Sequence, residues 1–164
     1  MTGVRSDGRP RTSCHERALG LLAVRQRSRR ELEQRLLRAG YESGEVDEVL
    51  ERLGSVGLID DRAFARAMAE HAFGSRKQGR RSVAAALAAK GVDTQLAAEV
   101  IDEMGSDESG RAEQLATAKA ARLASLEPST AYRRLTGLLV RRGYGPEVAH
   151  TAARKALGAF EPED

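Results

Sequence analysis

One phrase occurs three times in this chain, and its spacing restricts the folds available. RRELEQRLLRAGY at Arg29–Tyr41 returns as RRLTGLLVRRGY at Arg133–Tyr144 and, more faintly, as RRSVAAALAAKGV at Arg80–Val92. Aligning Gly40, Gly91 and Gly143 sets the copies 51 and 52 residues apart. Eight residues before each glycine stand Leu32, Val83 and Leu135, and four before stand Leu36, Leu87 and Leu139. Nine, ten and thirteen after come Val49, Leu50 and Leu53, then Val100, Ile101 and Met104, then Ala152, Ala153 and Ala156. A fixed period of this size is the mark of a repeat array in which each unit buries its apolar face with help from its neighbours. With its smaller residues, the third copy is expected to be the more thinly packed end.

Apolar residues four apart make a helix stripe. Aromatic residues are only 4% of the chain, tryptophan is absent and Pro is rare, so the core must be aliphatic and suits packed helices rather than a β-sandwich. The coarse assignment is helix at His15–Arg27, Arg29–Ala39, Gly44–Ser55, Asp61–Gly74, Arg80–Lys90, Thr94–Met104, Ser109–Leu126, Thr130–Arg142 and Pro146–Gly158. The expected fold is all-α: three tandem three-helix repeats of helix-turn-helix-like units, forming an elongated curved array. Its parts are a disordered basic tail at 1–14, repeats at 15–58, 59–106 and 107–160, and a short tail at 161–164.

Most of the phrase has a local purpose. A glycine at the helix C′ position takes the left-handed conformation, and the residues flanking it touch in a Schellman cap. That pairs Tyr41 with Leu36, Val92 with Leu87 and Tyr144 with Leu139. Ser28 and Glu31 match a capping box. In Gly57–Arg66, Asp60 is read as an N-cap, Asp61 as a first-turn acid, and Ile59 with Phe64 as a hydrophobic staple, in preference to a metal or catalytic role.

One feature is left over. Ten residues before each glycine stands an arginine, Arg30, Arg81 or Arg133, with a basic neighbour at Arg29, Arg80 or Arg134. Two residues along a helix are about 200° apart, so this arginine points away from the stripe that starts two places later. Arg25, Arg27, Arg76, Lys77, Arg141 and Arg142 lie nearby. A solvated face explains each one singly. Their threefold recurrence points to a cationic surface for an extended polyanion or an acidic groove.

The totals narrow the rest. With 27 Lys+Arg against 24 Asp+Glu, the net charge of +3 permits an anionic partner without demanding one. The single cysteine, Cys14, excludes an internal disulfide and fits a reducing compartment; it is read as an inert thiol. The three histidines are scattered, and no metal site, cofactor motif or catalytic set is visible. No apolar run approaches a membrane span and no secretory leader is seen. The expectation is a cytoplasmic monomer with no metal and no cofactor that is not an enzyme.

The residues also carry a family likeness. Ser28-x-x-Glu31-Leu32-x-x-x-Leu36-x-x-x-Gly40-Tyr41, Gly57-Leu58-Ile59-Asp60-Asp61-x-x-Phe64-Ala65, and Gly79 followed by a basic helix ending Lys90-Gly91-Val92 resemble the bacterial RecX family, modulators of the recombinase RecA. The likeness runs from about Ala18 to Leu157. It implies three tandem three-helix repeats that bind along the groove of the RecA–single-stranded-DNA filament. It further implies inhibition of filament growth, strand exchange and RecA ATP hydrolysis, with single-stranded DNA as a further partner. The residues expected to meet the partner are Arg29, Arg30, Arg76, Lys77, Arg80, Arg81, Arg133, Arg134, Arg141 and Arg142. The competing reading is a helix-turn-helix transcriptional repressor, which short helix pairs with glycine turns allow. Against it, the polar chemistry repeats rather than concentrating on one recognition helix, and asparagine is absent.

Overall fold

A computed structural model describes residues 12–158. Residues 1–11 of the tail expected at 1–14, the tail at 161–164, and residues 159–160 lie outside the described residues. Nine α-helices follow one another among the described residues: α1 Cys14–Val24, α2 Arg29–Arg38, α3 Ser43–Ser55, α4 Asp61–Gly74, α5 Arg80–Ala89, α6 Thr94–Met104, α7 Glu108–Ala120, α8 Pro128–Arg141 and α9 Pro146–Leu157. Among them there is no β-strand and no helix long and apolar enough to cross a membrane.

Four boundaries differ from the sequence reading in instructive ways. The first helix takes in Cys14, expected in the tail, because Ser13 and Glu16 form a reciprocal capping box. It stops at Val24, not Arg27: the chain turns extended at Arg25, and the Arg27 side chain folds back to donate to the Leu21 carbonyl at 3.2 Å. The seventh helix ends at Ala120 and tightens into a 3₁₀ turn, Ala121–Leu123, where Leu123 packs onto the core. α8 then starts early, at Pro128, because proline is tolerated in a first turn and Glu127 caps Thr130.

The helices pack in triplets: α1–α3, α4–α6 and α7–α9, each around its own buried cluster. Leu32, Leu36, Leu50 and Leu53 anchor the first. Phe64, Phe73, Leu87 and Val100 anchor the second. Leu135, Leu139 and Tyr144 anchor the third with Ala149, Ala152 and Ala153. The third is not thin. Its alanines let α9 lie against α7 in the most extensive helix contact of the molecule. Tyr144, wholly buried, supplies the missing volume. The expected staple is also absent: Ile59 is buried in the first cluster and Phe64 in the second.

All three Schellman caps form. The N–H groups of Tyr41, Val92 and Tyr144 bond the carbonyls of Leu36, Leu87 and Leu139 at 3.4, 3.1 and 3.2 Å, and the three glycines have φ of +93°, +73° and +93°. The same phrase also builds the joints between repeats. The Ser28 hydroxyl at the start of α2 accepts from Glu31 N–H and donates to the Lys90 carbonyl at the end of α5. In the same register, Gly79 N–H at the start of α5 donates to the Arg142 carbonyl at the end of α8 at 2.8 Å, and Arg81 N–H to Gly143 at 3.1 Å. At both joints the start of one middle helix therefore meets the end of the next, α2 on α5 and α5 on α8. The last carbonyls of one are satisfied by donors at the start of the other.

Gly79 and Gly143 meet backbone to backbone, where a Cβ on either would collide with the other segment. The array ends differently. The matching end of α2, at Gly40, faces outward, and α8 begins one turn further upstream with its own Glu127 cap, as terminal units of a repeat array require.

Candidate functional site

The ten cations singled out by sequence fall into three places. The first is the joint between the first two repeats. Arg30 lays its aliphatic stem over Gly91 and, with Arg35, Arg38 and Lys90, lines a polar groove of about 310 Å3. Glu31 shares that groove but is already engaged by Arg25, Arg27 and Arg35. Burial pushes the Glu31 carboxyl up, but the hydrogen bond and charge of Arg25, with Lys90 and Arg27, outweigh this and hold it below the usual carboxylate range. Its expected back-bond to the Ser28 backbone is not made; only half of the capping box survives.

Arg29 has a different role. Its N–H donates to Asp61 at 2.8 Å and its guanidinium pairs with Glu51 at 2.9 Å. Asp61 thus spans from α4 to the start of α2, a link the sequence did not suggest.

The second place is the joint between the second and third repeats. Arg80 repeats the work of Arg29: its N–H donates to Glu108 at 3.1 Å and its guanidinium pairs with Asp102. Arg142 donates to the Arg76 carbonyl at 2.9 Å, and the Tyr144 hydroxyl to the Lys77 carbonyl at 2.6 Å. Lys77 adopts φ +49°, a left-handed geometry that costs a non-glycine residue about 1–2 kcal/mol. Burial raises the Tyr144 pKa above its ordinary value, so the phenol stays a donor. Arg111, buried, stacks 4.3 Å over Phe73 and donates to the Gly105 carbonyl, fastening α7 to the second repeat.

The third place is a cleft of about 590 Å3 in the third repeat. Arg133, Arg134 and Arg141 of α8 face Lys119 and Arg122 across it. Lys119 and Arg122 lie outside the repeated phrase, so the register could not flag them.

The structure thus separates tied cations from free ones. Arg29, Arg80 and Arg142 are tied within the chain. The side chains of Arg30, Arg76, Lys77, Arg81, Arg133, Arg134 and Arg141 make no ion pair among the described residues. Of these, all but half-buried Lys77 are exposed.

Other candidates resolve structurally. Cys14 is buried, and burial, then the Glu45 charge, push its thiol up to about 11, which leaves no thiolate for chemistry at neutral pH. Asp60 caps α4 through Ala63 N–H at 2.9 Å. His150 meets the Tyr132 hydroxyl at 2.7 Å. Among the described residues no group of His, Cys, Asp and Glu is placed to hold a metal ion.

Comparison with known proteins adds the context. Residues 14–53 match the model of the first three-helix domain of RecX, and residues 60–101 that of the second. A regulatory protein RecX of Mycobacterium tuberculosis is 38% identical over 136 residues, covering 80% of this chain and 78% of the relative. One from Amycolatopsis mediterranei is 33% identical over 144 residues, covering 87% and 82%. The crystal structure of RecX from Lactobacillus salivarius superposes with a TM-score of 0.78 at 19% identity, covering 87% of this chain and 94% of that one. At that identity the superposition supports the fold alone.

Proposed function

The chain belongs to the RecX family of regulatory proteins, and from that premise we propose that it is a non-catalytic regulator of the RecA–single-stranded-DNA filament. It binds along the filament groove as a cytoplasmic monomer and limits filament growth, strand exchange and RecA ATP hydrolysis. The observation that supports this reading is the division of cations. The joints consume Arg29, Arg80 and Arg142, and leave Arg30, Arg81, Arg133 and their free neighbours to an outside partner. Several weak contacts of this kind add up to a binding face that depends on salt. Where they meet single-stranded DNA, each phosphate contacted contributes about −0.7 to the log–log salt slope.

The test is co-sedimentation with RecA filaments, with and without single-stranded DNA, at two salt concentrations. The expected result is recovery in the filament pellet, weakened by salt. Recovery in the supernatant under every condition would overturn the reading.

A further inference from the structure

We propose that the cleft of the third repeat is a docking site for an acidic peptide segment that seats one bulky apolar side chain between Leu123 and Leu138. The inference goes beyond the filament reading, since it concerns one site and one ligand chemistry whether or not a recombinase is bound.

The charge is one-sided. Five cations from α7, the 3₁₀ turn and α8 surround one opening, and no carboxylate lines it. Each of them lacks an ion pair among the described residues. Like charges held around one depression repel one another and concentrate a positive potential that an anionic occupant relieves. The neighbouring face of the same repeat shows the contrast: there Lys155 of α9 is paired with Glu113 of α7.

The floor decides between anionic occupants. It is made by Leu123 and Leu138, both only partly buried against the core. A single strand of nucleic acid holds its bases on aromatic platforms, and no aromatic residue lines this cleft. An aliphatic floor under a basic rim suits a peptide: the rim takes carboxylates and the floor takes a leucine or phenylalanine side chain. A volume of about 590 Å3 is ample for such an anchor.

Fluorescence anisotropy on the full chain tests this with three labelled probes: a peptide of aspartates and glutamates around a central phenylalanine, the same peptide with serine at the centre, and an oligothymidylate of equal charge. The phenylalanine peptide should bind at least about tenfold more tightly than the serine peptide, the effect of burying one large apolar side chain. Combining Arg122→Glu with Arg134→Glu should weaken its binding at least about tenfold. Should that pair lower the melting temperature, Arg122→Gln with Arg134→Gln takes its place and should weaken binding in the same direction. Equal binding of the two peptides would mean the floor is unused and would overturn the proposal. So would peptide binding that survives both pairs of substitutions, or an oligothymidylate that outcompetes the phenylalanine peptide at this cleft. None of these outcomes bears on whether the chain pellets with RecA filaments.

Discussion

The two joints between repeats use one plan with different materials. In both, the start of a middle helix sits on the end of the next, and an arginine eleven residues before the glycine pairs with an acid eleven residues after it: Arg29 with Glu51, Arg80 with Asp102. In both, the first residue of the following repeat's leading helix, Asp61 or Glu108, accepts that arginine's N–H. The first joint is made by side chains, the Ser28 hydroxyl and the stem of Arg30 over Gly91, with an open groove beside it. The second is made by backbone, Gly79 against Gly143, and is sealed by Tyr144, Arg142 and Arg111. Side chains can move aside and backbone cannot. The first joint is therefore the adjustable one and the second the rigid one.

Alanine at the two receiving glycines should expose the difference most strongly. Both have positive φ, so each substitution carries a backbone penalty of about 1 kcal/mol. At Gly143 the new Cβ also meets the Ser82 backbone, and the total should reach about 3 kcal/mol. At Gly91 it meets Arg30 side-chain atoms, of which Cγ and Cδ can swing aside while Cβ, at 2.7 Å, yields only with its backbone, and the total should stay smaller, about 2 kcal/mol. Urea unfolding of both variants measures this. Equal losses would mean that the joints are alike.

A smaller effect separates the two tyrosines. Tyr144→Phe strands the Lys77 carbonyl in a part-buried setting and should cost about 1–2 kcal/mol. Tyr41 makes the matching bond to Thr12 at the outer end of the array, where water can replace it. Tyr41→Phe should therefore cost less than about 0.5 kcal/mol. Thermal melts of the pair check the order.

Acid should loosen the first joint through Glu31. Its folded pKa lies below the unfolded value, so its contribution is present above about pH 4.3 and fades as pH falls through the folded value. Stability curves of wild type and Glu31→Gln should converge at low pH and separate above it. A constant gap across the range would show that the ion cluster with Arg25, Arg27 and Arg35 is not the source.

The sequence made the interior of each repeat legible because periodicity and caps are local. Leu36, Gly40 and Tyr41 lie within six consecutive residues and reveal their roles by offset alone. The joints were harder to read. Their partners are backbone carbonyls at Lys90 and Arg142, which no residue type announces, and they belong to a different repeat. One signal was available: Glu51 and Asp102 occupy the same register position, and matching them to Arg29 and Arg80 would have marked those arginines as tied. The third copy has Tyr132 and Arg154 at those positions, so it lacks the arginine–acid combination that marks the other two, and its Arg133, Arg134 and Arg141 make no ion pair among the described residues. Lys119 and Arg122 were invisible because they stand outside the phrase, and only the fold of α7 onto α8 brings them to Arg133 and Arg134.

The most direct test sets free arginines against tied ones. Arg30→Glu, Arg81→Glu and Arg133→Glu are combined in one variant, Arg29→Ala and Arg80→Ala in another, and each is assayed for Tm and for inhibition of RecA ATP hydrolysis. The free-cation variant should lose at least about tenfold in inhibitory potency while fully folded, with Tm lowered only by the shortened stem over Gly91. The tied-cation variant should lose about 1–5 °C in Tm and keep its potency below the transition. A free-cation variant that inhibits like wild type, or a tied-cation variant that loses potency while fully folded, would contradict the assignment.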